Sequence, residues 1–112
     1  MVNIYLFDVD GTIEVSFGPV TIAQMVNLKR SGHIIGLCGN WGLFVRTVQG
    51  WENLLSLIGP IGTSKALYMS QIKIFIPADR YIFVGNAPPD NIEARDAGWE
   101  FIREVEFKDG IA

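Results

Sequence analysis

The chain has 112 residues, of which 49 % are apolar and 19 % charged, which excludes a disordered chain and supports one domain over 1–112 that buries its own core. Nine Lys and Arg against twelve Asp and Glu give a net charge of −3, and no basic run occurs, so binding to nucleic acid through charge is not expected. The one cysteine, Cys38, can form no intrachain disulfide and no Cys-rich zinc site. Apolar runs are far shorter than the roughly 20 residues of a membrane-spanning helix. No basic leader precedes the first apolar run at Val2, so a signal peptide is not expected and the cytoplasm is the default location. Three Trp and seven Phe are many for this length; they read as ordinary core and scattered surface ahead of a partner or homodimer surface.

Val2–Phe7 (VNIYLF) is a short apolar run that stops at Asp8, the pattern of a strand buried on both faces. Gly18-Pro19 opens a helix with Pro at its first position, and Gly32 stops it. His33–Cys38 (HIIGLC) is a second buried strand, with His33 read as structural. Trp41–Leu57 has apolar residues at helical spacing and reads as one helical segment or two short ones, weakened by Gly42 and Gly50. Ile61 is placed in a very short third strand, and Thr63 and Ser64 cap the next helix, which Pro77 closes. Tyr81–Val84 is a strand. Asp90–Ala97 is a helix with Asp90 as cap and Glu93 three residues on, and Trp99–Ile102 is the last strand. The charged tail after Arg103 is expected to fray.

Strands and helices alternate throughout. The expected fold is therefore α/β: an open, mostly parallel sheet with helices on both faces. Chemistry in such sheets gathers at the carboxyl ends of the strands. Three polar clusters fall there: Asp8-Val9-Asp10-Gly11-Thr12, Cys38-Gly39-Asn40 and Gly85-Asn86. Asp8 and Asp10 carry the sharpest signal. Two carboxylates two residues apart after a buried strand repel each other, and a divalent cation with hard oxygen ligands, Mg²⁺ above all, relieves that cost. An Asx turn is the structural alternative.

The stretch LFDVDGT resembles the first motif of the haloacid dehalogenase-like superfamily, whose members are mostly Mg²⁺-dependent phosphatases. Candidates for the other three motifs follow in order: Cys38 in GLCGN, where the family has Ser or Thr; Lys65 in GTSKAL; and GNAPPD, Gly85 to Asp90, which resembles the acidic fourth motif. The resemblance spans essentially the whole chain and implies a Rossmann-like core. It implies Asp8 as nucleophile forming an aspartyl-phosphate, and Asp10 as acid and then base. It further implies phosphate binding by Cys38, Gly39, Asn40 and Lys65, and Mg²⁺ held by Asp8, Asp10, Asn86 and Asp90. Two positions depart from the family pattern. Asn86 removes a carboxylate from the metal site, and Cys38 offers a thiol in place of a hydroxyl.

Simpler readings accompany these positions: Lys65 as a solvated residue in a first helical turn, Asp90 as a helix cap alone, Cys38 as a small buried hydrophobe. Arg46 follows the second motif on a face that could look toward a substrate. The intervals Ile13–Gly18 and Trp41–Thr63 are too short for the cap domain of many family members, so an open site is expected, with Phe17, Trp41 and Phe44 near its rim. The expected partner is a phosphorylated substrate, small or large. The competing function is a catalytically degenerate relative that binds phosphate, metal or a partner. A receiver-like phospho-acceptor domain is a weaker third reading, since Ile61-Gly62-Thr63 supplies no acceptor Asp at the third strand.

Overall fold

The structure is a computed structural model and describes residues 1–59, 64–86 and 88–108. Its elements, in chain order, are β1 (Asn3–Phe7), α1 (Ile22–Arg30), β2 (Ile34–Leu37), α2 (Trp41–Thr47), α3 (Trp51–Leu54), β3 (Leu57–Ile58), α4 (Lys65–Phe75), β4 (Arg80–Gly85), α5 (Pro88–Asp96) and β5 (Glu100–Arg103). Short 3₁₀ turns occupy Glu14–Ser16 and Glu104–Glu106. The five strands pair in parallel in the order β3-β2-β1-β4-β5. The chain thus winds outward from β1 to one edge, then crosses to the other side of β1. The crevice between the carboxyl ends of β1 and β4 is where strand order reverses.

β1 lies in the middle and all five of its residues are buried. Alternation along the strands splits the core in two. Tyr5, Phe7, Ile35, Leu37, Ile82 and Val84 face α1, α2 and α3 through Met25, Leu28, Phe44 and Leu54. Ile4, Leu6 and Phe83 face α4 and α5 through Met69, Ile72 and Ala94. The apolar run from Ile4 to Phe7 in β1 therefore reflects a strand covered on both sides, as the expected fold requires.

Several boundaries differ from the sequence expectation. The first helix does not open at Pro19 but at Ile22, because a capping box holds it there: Thr21 Oγ1 accepts from the Gln24 N–H at 3.1 Å, and Gln24 Oε1 accepts from the Thr21 N–H at 2.9 Å. The 41–57 segment is two short helices joined by a left-handed Gly50. The third strand is Leu57–Ile58, earlier than placed; Ile61 and the Thr63 cap lie outside the described residues. Ser64 does cap α4, its hydroxyl accepting from the Leu67 N–H at 3.1 Å. Asp90 is not the cap of its helix, because α5 begins two residues earlier, at Pro88.

The aromatic residues divide as follows. Phe44 belongs to the core and not to any rim, and Trp99 is buried with its indole N–H donating to the Met69 carbonyl at 3.0 Å. Trp41 and Trp51 are half-buried against the core, whereas Phe17 and Phe75 are exposed. His33 is structural: its Nδ1 accepts from the Asn3 N–H at 3.0 Å, and its ring meets Tyr5 edge-on.

The described part of the segment after β5, 104–108, does not fray as expected. Phe107 is buried and packs edge-on against Tyr5 and Phe7, with centroids 6.4 and 5.4 Å away. The tail therefore closes one end of the larger core. Phe107→Ala should lower unfolding free energy by about 2–4 kcal/mol, read by urea denaturation, because it leaves a void against β1. A frayed tail would leave the midpoint unchanged.

Candidate active site

β1 ends at Phe7, and the next residue has its backbone N–H tied to the Val84 carbonyl of β4 at 2.9 Å. Asp8 is thereby fixed in the reversal crevice with its side chain only 10 % exposed. The chain then turns sharply. Thr12 and Ile13 N–H groups both donate to the Val9 carbonyl, at 3.1 and 3.2 Å. Gly11 takes the left-handed φ of +72° that this turn needs. A Cβ there would lie 2.1 Å from the Asn86 side-chain nitrogen, so the missing side chain also lets Asn86 lie over the turn. Ser16 braces it from the other side: its hydroxyl accepts from the Gly11 N–H at 2.9 Å and donates to the Val9 carbonyl. Sequence reasoning gave Ser16 no part; no local pattern marks a hydroxyl that acts five residues upstream.

Lys65 stands in the first turn of α4 and reaches back to the crevice. Its Nζ is 3.0 Å from Asp8 Oδ1 and 3.0 Å from Asp90 Oδ1, and lies 5.7 Å from the centre of the Phe83 ring. It is not a solvated helix residue. Asp90, in turn, is buried, and its second oxygen accepts from the Asn86 N–H at 3.3 Å. Its carboxylate does not cap α5 but holds the lysine and the loop after β4 together.

The charges in this cluster shift one another. Burial pushes the Asp8 carboxyl above its usual range; Lys65 pulls it back, and Asp90 and Asp10 push it up further. Burial works against the Lys65 ammonium, but Asp8 and Asp90 together outweigh it and raise its pKa. Asp10, by contrast, is exposed. Its Oδ1 accepts from Asn40 Nδ2 at 3.0 Å, which ties the β1 turn to the loop after β2.

That loop begins with Cys38, whose side chain is fully buried in the cluster facing α4. Burial pushes its thiol up to about 12, so it stays protonated at neutral pH. Gly39 follows with φ +123°, and a Cβ on it would stand 2.9 Å from Asp8 Oδ1. Only glycine permits both the conformation and the close approach of the carboxylate. The backbone N–H groups of Val9, Asp10, Gly39 and Asn40 have no hydrogen-bond partner among the described residues. These donors flank Asp8 on two adjacent loops, an arrangement suited to an anion.

Arg46 is exposed on α2 and lines a shallow hollow with Val45, Val48, Gln49, Gly50, Trp51 and Glu52, with no contact to this cluster. The structure thus gathers Asp8, Gly39, Lys65, Asn86 and Asp90 around one point, joins Asp10 to Asn40 beside it, and turns Cys38 inward.

A divalent cation can be tested against these donors. Among the described residues no group of three or more His, Cys, Asp or Glu is arranged to hold a metal. Asp90 is engaged with Lys65 and the Asn86 N–H. The remaining oxygens, the Asp8 carboxylate, the Asp10 carbonyl and the Asn86 carboxamide, are all hard. Mg²⁺ is commonly held by one or two carboxylates, with waters and substrate phosphate completing its shell, so this set fits it.

No family model and no curated protein sequence matches the chain. Among solved structures, it is similar to the NMR structure of the core domain of "a putative phosphoglycolate phosphatase" from Streptococcus pneumoniae. The TM-score is 0.58 at 16 % sequence identity, over 99 % of this chain and 84 % of that one. The two share the α/β fold. No helix among the described residues is long and apolar enough to cross a membrane.

The balance at Asp8 has a testable sign. A carboxyl whose pKa is raised on folding favours the folded state most when protonated, and that contribution is lost as pH rises through the folded value. In metal-free buffer, Asp8→Asn should therefore raise the thermal midpoint at pH 7. The gain should shrink as pH falls and vanish below the ordinary carboxylate value of 3.8. A variant less stable than the parent at pH 7 would contradict this balance.

Proposed function

We propose that the chain is a phosphomonoester hydrolase that works through an aspartyl-phosphate on Asp8. The observation that carries this reading is a buried carboxylate beside one ammonium and a set of unpartnered backbone N–H groups. That combination suits a nucleophile facing a phosphoryl group: Lys65 and the N–H groups of Gly39 and Asn40 offset the oxygens' charge while Asp8 approaches phosphorus. The printed description of the pneumococcal core domain, a phosphatase by name, agrees with it.

In the first step an Asp8 oxygen bonds to phosphorus and the bond from phosphorus to the ester oxygen breaks. Asp10 gives its proton to the departing oxygen. In the second step Asp10 takes a proton from water, the water oxygen bonds to phosphorus, and the Asp8–phosphorus bond breaks to release phosphate. The Asn40 amide holds Asp10 on the open side of the site. Mg²⁺ on the Asp8 carboxylate, the Asp10 carbonyl and Asn86 would supply positive charge that lets one anion attack another. Asp90 keeps Lys65 in place. With Cys38 turned into the core, phosphate recognition by the loop after β2 falls to its backbone. The substrate is a phosphorylated molecule reached from an open face, and the cytoplasm remains the expected setting.

The second reading, a degenerate relative that binds phosphate or metal without turnover, draws on Asn86 and the buried Cys38. Hydrolysis of 4-nitrophenyl phosphate separates the two. An enzyme should release phosphate with Mg²⁺ and stop with a chelator. Asp8→Asn should lose on the order of a thousandfold or more, and Lys65→Met about a hundredfold. Silence with Mg²⁺ still bound by calorimetry would favour the degenerate reading.

Asn86→Asp restores a carboxylate beside Asp8. It should lower the Mg²⁺ concentration for half-maximal binding on the order of tenfold, as calorimetry would measure. An unchanged affinity would remove Asn86 from the metal site.

A further inference from the structure

A cavity of about 390 Å³ opens beside the Asp8 cluster, lined by Asn86, Pro88, Asn91, Phe101 and Arg103. Its size is within the usual range for small-molecule pockets. Phe101 and Arg103 are two residues apart on β5 and so share a face of the sheet. Phe101 is half-buried and meets Phe83 at an angle, with centroids 6.1 Å apart, which fixes its ring. Pro88 and Asn91 come from the first turn of α5, three residues apart on one side of the helix. Asn86 belongs to both places: its backbone N–H meets Asp90, and its side chain lies over Gly11 in the nucleophile turn. The cavity therefore adjoins the site at Asn86.

Its chemistry is selective. An aromatic ring and a proline ring give flat apolar walls, and two carboxamides can each donate and accept. Arg103 is 62 % exposed, and among the described residues its one ion pair is long, 3.9 Å to Glu104. Its guanidinium thus keeps N–H donors for a ligand. Among the described residues no acidic one lines the cavity, although the chain as a whole carries −3.

We propose that this cavity receives the leaving group of the phosphomonoester and selects a flat, unsaturated ring bearing a second anionic group. The proposal rests on the phosphatase reading above and names its substrate class. The ring lies between Phe101 and Pro88, and Arg103 pairs with the distal anion as a guanidinium pairs with a carboxylate. Phe101 and Arg103 are specificity residues and take no part in the bond changes at phosphorus.

The test compares phenyl phosphate with 4-carboxyphenyl phosphate in the presence of Mg²⁺. KM for the carboxylated ester should be lower, by about tenfold. Arg103→Gln should erase that difference and leave KM for phenyl phosphate within about twofold. Phe101→Leu should raise KM for both esters about fivefold without changing inhibition by inorganic phosphate. Equal KM values in the parent protein, or a gap that survives Arg103→Gln, would overturn the proposal. If the parent hydrolyses neither ester, the phosphatase reading fails separately, and the cavity is read by NMR titration with 4-phosphonobenzoate. Amide shifts centred on Asn91, Phe101 and Arg103, lost in Arg103→Gln, would uphold the ring-and-anion site. Their absence would reject it.

Discussion

One ammonium between two buried carboxylates organises this end of the molecule. Lys65 lies 3.0 Å from oxygens of both Asp8 and Asp90, and those three residues come from the end of β1, the start of α4 and the first turn of α5. Two carboxylates sharing a partly buried crevice would repel each other without a cation. Removing Lys65 would leave two buried carboxylates uncompensated, which is far costlier than losing a surface pair. The cluster therefore sets where α4 and α5 begin relative to the sheet, as much as the apolar contacts of Met69, Ile72 and Ala94 do. It also holds Asp8 at a cost, since burial outweighs the attraction of Lys65.

Besides these helix-borne charges, the loops of the site bear on one another. Ser16 holds the Asp8–Thr12 turn, Asn40 reaches Asp10 from the loop after β2, and Asn86 lies over Gly11 from the loop after β4. Three strand ends are thus cross-tied by short polar contacts, with glycines at Gly11 and Gly39 where the backbones must come close. Such bracing matters because no segment large enough to cover the site lies within the chain's loops, so positioning must come from the floor of the crevice.

Much of this was legible in the sequence. Four consecutive apolar residues before Asp8, Ile4 to Phe7, announce a strand covered on both faces, and the alternation of strands and helices announces a parallel sheet. LFDVDGT marked the turn that follows β1 and holds Asp8. The errors have local causes. Pro19 was a plausible helix start, but the Thr21/Gln24 pair two residues later supplies both caps and wins. Leu57–Ile58 is too short to display period-two alternation and merged with the helical pattern before it. Asp90 looked like a cap because DNIE satisfies the cap pattern; Pro88, a good first helical residue, was the competing signal. No sequence rule could show that the Asp90 side chain turns to Lys65, twenty-five residues away, or that Phe107 folds back onto β1. Those contacts depend on where the sheet brings distant segments.

The sheet ends in two very short strands. β3 contributes two residues and β5 four, the latter flanked by Glu100 and Arg103. Glu100 is bound to Arg80 on the neighbouring strand by a two-point ion pair. An edge this brief, with charged side chains at its ends, offers an incoming chain few backbone groups to pair with. The apolar run of β1, which alone would be a potent seed for intermolecular stacking, sits between β2 and β4 and is buried. The winding order that creates the crevice also keeps the stickiest segment of the chain out of reach of its copies, so resistance to aggregation and the position of Asp8 follow from one topological choice.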